Sequence, residues 1–409
     1  MPGLLLRGGR PWGLDAPADV LVREGVIERI GPDLQADPVV EVVDVPGRLL
    51  LPGLIDAHCH VDKTLFGGRW VPHSAGPALA DRIAEERRRR GELGLPNVEH
   101  MVALLERMVA CGTTHVRTHT DVVTDHGLAG VEAVWAARER LGGRVTIEQV
   151  AFPQYGVLAD PGTAELLDQA LRNGVEVIGG IDPAGADRDP VRHLDIVFAL
   201  AEKHGAGIDI HLHDGGSLGT WQLELIIERA KATGLGGRVA VSHAYGLAQA
   251  DQVTQERLGR QLADAGVSLI TAAVYNFPVP PIARLRAAGV TIACGHDGIR
   301  DLWSPFGSGD MLERAMHLAY RSIFRRDEEI EMALEAATYG GARALGLQAY
   351  GLETGAGGHR SRRREHPGRG GRDAPGPGPR RQGGPNRRTA GSTRRIGLRA
   401  ALTQRTAAS

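Results

Sequence analysis

From about residue 51 to residue 346, two patterns of apolar positions alternate along the chain. Short continuous apolar runs bounded by turn residues read as buried strands. Longer stretches with apolar residues three and four apart read as helices with one buried face. The runs predict strands over 53–60, 115–120, 145–152, 176–181, 207–213, 239–243, 268–273 and 291–296. The helical pattern fills the gaps at 98–111, 128–141, 163–173, 191–204, 220–233, 252–265 and 281–288. This alternation argues a parallel sheet with helical crossovers. Eight such units predict an α/β fold, a (β/α)8 TIM barrel. An open doubly wound sheet is the runner-up, but no Gly-x-Gly-x-x-Gly turn follows the first strand.

Residues 1–50 have a different rhythm. Segments 20–23 and 26–30 read as two strands about a Glu24-Gly25 turn, and 40–45 as another. The expected organisation is a small β-sandwich domain from the chain ends, with its N-terminal strands in 1–50. The barrel follows over 51–346, then a return toward the small domain over 347–355 and a tail over 356–409. The run Glu85-Glu86-Arg87-Arg88-Arg89-Arg90 reads as a solvated face of a helix or loop.

In a barrel of this type the active site lies at the C-terminal ends of the strands. The predicted strands end in His58-Cys59-His60, His119-Thr120-Asp121, Phe152-Pro153-Gln154, Ile181-Asp182, His211-Leu212-His213-Asp214, Ser242-His243 and Gly295-His296-Asp297. Residues two apart in a strand point to one side, so His58 and His60 can aim at one point. Buried polar groups need partners, and this convergence points to a metal. His211 and His213 also share a face; one is expected to bind metal and the other to orient or pack. Asp297 offers a hard oxygen. Three imidazoles and a carboxylate with one open position suit a single divalent ion, Zn2+ or Fe2+. Such an ion activates water near neutral pH. Asp297 can take that water's proton while ligating, and His243 can hold the nucleophile and the forming oxyanion.

Composition narrows the class. No apolar run approaches the ~18 residues of a membrane span, and the apolar start, Leu4-Leu5-Leu6, is too short for a signal peptide. A cytoplasmic location without membrane partners is the expectation. Cys59, Cys111 and Cys294 fit no disulfide or zinc-finger spacing and read as packing residues. The net charge of −1 hides an asymmetry: from Ala356 onward fourteen Arg and two acids leave the tail at +12 and the body at −13. The acidic body argues against a nucleic-acid partner. The Arg/Gly/Pro-rich tail lacks the apolar surface to fold alone.

The stretch Gly53-Leu54-Ile55-Asp56-Ala57-His58-Cys59-His60, with His211, His243 and Asp297 at later strand ends, resembles the amidohydrolase superfamily. Thr118-His119-Thr120-Asp121-Val122, Phe152-Pro153-Gln154-Tyr155-Gly156 and Trp303-Ser304-Pro305-Phe306-Gly307 resemble its cytosine deaminase branch. Gly179-Gly180-Ile181-Asp182-Pro183-Ala184 and Ile299-Arg300-Asp301-Leu302-Trp303 resemble the triazine-degrading N-isopropylammelide aminohydrolases within it. The likeness runs from about residue 1 to about residue 355. It implies a mononuclear site with His58, His60, His211 and Asp297 as ligands; no Lys on the fourth strand could bridge a second metal. It also implies substrate contacts from Gln154 and Trp303, and a His243 that orients the attacking water. Asp214 stands where cytosine deaminase has the Glu that protonates the ring nitrogen, as it does in the triazine enzymes. Gly298 stands where cytosine deaminase has a second carboxylate, which disfavours cytosine itself.

The expected activity is metal-dependent hydrolytic deamination of a small amino-substituted N-heterocycle, such as cytosine or an N-alkylamino-hydroxytriazine. The protein is expected to work alone or as a homo-oligomer. One rival is a cyclic amidohydrolase that opens a ring amide. Another is a catalytically impaired barrel acting as a binding or regulatory protein through its tail. For the tail itself, a basic arm competes with a shifted reading frame. Residues 362–368 can be back-translated so that a one-base shift spells Val-Val-Glu-Asn-Ile-Pro-Glu, a continuation of the family pattern.

Overall fold

A computed structural model describes residues 3–76 and 78–357; the tail reading falls beyond these from residue 358 on. The N-terminal strands are β1 (Leu4–Pro11), β2 (Ala18–Arg23), β3 (Val26–Gly31), β4 (Glu41–Asp44) and β5 (Leu49–Leu50). They form a mixed sheet in the order β3-β2-β1-β4, with β5 beside β1. Glu24 and Gly25 both take positive φ (52° and 80°), which a two-residue hairpin turn requires. Leu4, Leu6, Val20, Val22, Ile27 and Val45 form the core of this sheet. The chain returns to it late: Ile27 N donates to Ala356 O and Gly355 N to Ile27 O.

The second layer system opens with β6 (Leu54–Cys59), a 3-10 turn at Val61–Lys63, α1 (Leu79–Arg89) and α2 (Val98–Ala110). It continues through β7 (Thr113–Asp121), α3 (Ala129–Leu141), β8 (Thr146–Phe152), α4 (Thr163–Arg172), β9 (Val177–Ile181) and α5 (Pro190–His204). Next come β10 (Gly207–His211), α6 (Gly216–Ala232), β11 (Val239–Ser242), α7 (Tyr245–Gln249), α8 (Gln252–Asp264), β12 (Val267–Thr271), α9 (Ile282–Ala287) and β13 (Ile292–Cys294). Three helices, α10 (Met311–Arg321), α11 (Asp327–Ala336) and α12 (Tyr339–Ala344), complete the described chain.

The eight strands β6 to β13 pair in chain order, all parallel. Their residues are almost all buried on both faces, as helix-covered parallel strands must be. Leu167, Leu194, Ile208, Leu223 and Leu258 belong to the main core, where crossover helices pack on the sheet. The barrel edges meet where Asp297 N donates to His58 O at 2.9 Å. Gly295 permits this approach: a Cβ there would lie 2.3 Å from His58 O. Asp56 ties the seam, accepting from His58 N (3.3 Å) and His296 N (3.1 Å) through one oxygen and from the His296 ring (2.6 Å) through the other.

All eight expected strands are present, but β10 stops at His211, two residues early. Residues 212–215 therefore turn away from strand geometry. The Glu85–Arg90 run is only partly a solvated face. Arg87 and Arg88 are exposed, but Glu86 and Arg90 are buried, at 1% and 6% exposure. The reason is a set of buried charged partners, most of them from other segments of the chain. Arg90 pairs with Asp121 (2.6 Å), Glu86 (2.9 Å) and Asp62 (3.4 Å), and Lys63 pairs with Asp121 (3.0 Å).

Candidate active site

Strand β6 delivers His58 at its end, and His60 follows it. Their rings lie 5.4 Å apart and both are buried. His60 Nδ1 is 3.1 Å from the carbonyl oxygen of His119, so that nitrogen carries the proton and Nε2 is bare. His58 Nδ1 is 2.8 Å from Ser242 Oγ. Barrel closure brings in Asp297, whose Oδ1 lies 3.4 Å from His60 Nε2 and 3.9 Å from His58 Nε2. Asp297 sits at φ 65°, a left-handed conformation that turns its side chain into the strand mouth. His211, at the end of β10, places Nε2 3.4 Å from His60 Nε2. His243, just past β11, lies 4.8 Å from the His58 ring and 5.1 Å from the His211 ring.

The structure thus brings His58, His60, His211, His243 and Asp297 into one mouth. Gln154 and Trp303 line the pocket above them, with His213, Asp301 and Lys63. Asp214 does not reach this pocket. Its Oδ2 accepts from Gly185 N (2.9 Å) and Gln222 Nε2 (2.8 Å), fixing the 183–185 turn instead. His213 faces the pocket in its place, stacked on His243 at 4.5 Å and held at Nδ1 by Asp182 (2.8 Å).

Lys63 and Asp301 escaped the sequence reading. Lys63 stands three residues after His60, in the 3-10 turn, and donates to Gln154 Oε1. Its buried ammonium also faces the Trp303 ring at 5.4 Å, while Trp303 Nε1 donates to Glu86. The available signal was a lysine one turn beyond a metal-type His pair. Asp301 explains Gly298. A Cβ at 298 would lie 2.2 Å from Asp301 Oδ2, so a carboxylate from 301 fills the wall where a side chain at 298 would stand.

Charge states follow from burial and neighbours. Burial, with the surrounding imidazoles, holds His58 and His211 well below the usual histidine range, so both are neutral and able to ligate. Burial, with His213 against it, pushes His243 down to about 3. His213 goes the other way: burial opposes its charge, but Asp182 outweighs it and raises its pKa. For Asp297 burial favours the neutral acid, yet His60, His243 and His58 hold it well below the usual carboxylate range.

These residues fit a divalent cation. His58, His60 and Asp297 bring one ligand atom each within 4.8 Å of one another, and so do His58, His211 and His243. His58 Nε2 is buried without a hydrogen-bond partner, a costly state unless a cation takes its lone pair. A near-closed parallel barrel with this His/His/Asp triad at its strand ends defines a metal-dependent hydrolase.

A sequence model described as the amidohydrolase family matches residues 90–359. The chain belongs to that family and is closely related to N-isopropylammelide isopropylaminohydrolase and cytosine-deaminase-like members. It is 32% identical to the N-isopropylammelide isopropyl amidohydrolase of Pseudomonas sp. (strain ADP), over 78% of this chain and 80% of the relative. Among solved structures it resembles N-isopropylammelide isopropylaminohydrolase from Burkholderia multivorans ATCC 17616, with TM-score 0.83 and 44% identity over 87% of this chain and 90% of that one. It also resembles 5-methylcytosine deaminase from Klebsiella pneumoniae liganded with 5-fluorocytosine, with TM-score 0.75 and 26% identity over 86% and 89%. Among the described residues no helix is long and apolar enough to cross a membrane.

Proposed function

We propose that the protein hydrolytically removes an amino or alkylamino group from a small oxo-substituted nitrogen heterocycle, with N-alkylammelide-type triazines ahead of cytosine. The observation that carries this is the triad geometry, His60 Nε2 and His58 Nε2 at 3.4 and 3.9 Å from Asp297 Oδ1, at the floor of the pocket. Lys63 and Gln154 on its wall favour a ring bearing oxo groups. Lys63 occupies Gln154 Oε1, so together they offer donors to the substrate. Names of the related proteins above point to the same substrate class.

His58, His60, His211 and Asp297 would hold one divalent ion, Zn2+ or Fe2+. When bound, it supplies Lewis acidity that lets a water ionise near neutral pH. Asp297 takes the proton of the attacking water. His243 hydrogen-bonds the oxygen as the new C–O bond forms at the amino-bearing ring carbon. The π electron pair of the ring C=N moves to the neighbouring ring nitrogen, where His213 holds the proton. The pair then returns, the exocyclic C–N bond breaks, and the proton held by Asp297 leaves with the amine. Gln154 and Lys63 fix the ring through its oxo groups, and Trp303 packs beside it. The geometry supports His213 over Asp214 as the group at the ring nitrogen, because Gly185 and Gln222 already hold the Asp214 carboxylate.

Ammonia and amine release from cytosine, isocytosine, ammelide and N-alkylammelides tests this. Turnover of at least one oxo-triazine is expected. It should be lost in His211→Ala, and should fall ~100-fold or more in His213→Asn against under tenfold in Asp214→Asn. Ring opening without amine release would sink the reading in favour of a cyclic amidohydrolase.

A further inference from the structure

Beneath the metal-ligand cluster lies a buried polar chain that the proposed reaction does not use. Ser242, the last residue of β11, places Oγ 2.8 Å from His58 Nδ1 and 2.8 Å from Asp209 Oδ1. Asp209 stands two residues before His211 on β10, so both point the same way along that strand. Its other oxygen accepts from Arg117 (3.1 Å), which Glu148 holds in turn. His119 Nε2 lies 3.4 Å from Asp209 Oδ1, with its ring 4.1 Å from that of His58. Ser242, Asp209 and His119 are fully buried.

The direction of each proton between Asp209 and His58 is forced. A carboxylate paired with a guanidinium only accepts. The single hydroxyl proton of Ser242 therefore goes to Asp209. The Ser242 oxygen can then only accept from His58, so His58 carries its proton on Nδ1. Its Nε2 is left with a bare lone pair aimed at the Asp297 side, and that nitrogen has no hydrogen-bond partner. His60 reaches the same tautomer by another route, through the carbonyl of His119.

We infer that Asp209 and Ser242 are positioning residues for the metal centre: a carboxylate–hydroxyl–imidazole relay that locks the His58 tautomer and sets a negative charge beneath a dication. This rests on the metal reading of the site given above. An alternative use of the same atoms is a second cation between His58, His119 and Asp209, whose ligand atoms also lie within 4.8 Å of one another. Both oxygens of Asp209 are already engaged, one by Arg117, and a dication beside that guanidinium would be repelled.

The test uses the full chain, stripped of metal and titrated with Zn2+ against a chromophoric chelator. The d–d absorption of the Co2+-loaded protein provides a second readout. Ser242→Ala should weaken Zn2+ binding ~10–100-fold and shift the Co2+ spectrum, with the melting of the metal-free protein within a few degrees of the parent. Asp209→Asn should weaken binding in the same direction, and it stands in if Ser242→Ala folds poorly. Affinity within twofold of the parent and an unmoved Co2+ spectrum in both variants would overturn the relay. A parent protein that binds no Zn2+ would instead overturn the metal reading itself.

Discussion

At the scale of single residues, parity made the histidine pair legible: two positions apart on a strand, one direction. The role of Asp214 came from the family resemblance, not from parity, and its partners, Gly185 and Gln222, come from a loop and a helix that no local pattern connects. Asp301 is a sharper case. Burial raises its carboxyl to about 6, against the backbone hydrogen bonds from Ser304 and Trp303 that favour the anion. A carboxyl that holds its proton more tightly folded than unfolded loses stability as pH rises from about 4 to about 6, and the cost then stays constant. Asp301→Asn keeps an acceptor oxygen for Trp303 N and Ser304 N. It should leave stability unchanged near pH 4 and raise it by about 1–3 kcal/mol at pH 7, read from denaturant melts at both pH values. Equal effects at both would show that Asp301 does not ionise in this window.

At the scale of elements, α1 shows where composition misleads. A run of two acids followed by four arginines looks solvated, yet Glu86 and Arg90 turn inward and bond Lys63, Asp62, Asp121 and Trp303. The helix is thereby riveted over the pocket through buried charges, and the same rivets orient Gln154 and Trp303. Removing one partner strands buried charge. Arg90→Ala should cost about 3–5 kcal/mol of unfolding free energy by denaturant titration, far more than Arg88→Ala, whose side chain is 60% exposed. A loss under about 1 kcal/mol would show the cluster to be a solvated face after all.

At the scale of the whole molecule, closure of the barrel makes the site. Asp297 reaches the histidines because β13 and β6 meet across Gly295, so folding and metal binding should be coupled. A ligand that binds only the folded state stabilises it by mass action, by about 4 kcal/mol at a thousandfold excess over Kd. Chelation should therefore lower Tm by several degrees, and Zn2+ or Fe2+ should restore it; an unchanged Tm would separate the site from the fold.

Periodicity alone determined the strand–helix alternation and the barrel it implies, because strands buried on both faces and one-faced helices write distinct patterns along the chain. It also pointed to the polar residues gathered at the mouth, His58, His60 and Asp297 among them, because strand ends in a barrel converge on one mouth. Tertiary structure alone decided what stands between those ends. It decided that His213 replaces Asp214 at the pocket, that Lys63 holds Gln154, that Asp301 fills the space above Gly298, and that Asp209 supports His58 through Ser242. The first, second and fourth of these depend on groups 29 to 184 positions apart, and the third on the close approach of residues 298 and 301. Hydrogen-bond direction and buried charge are settled by neighbours in space, and a linear pattern of apolar and polar residues does not encode them.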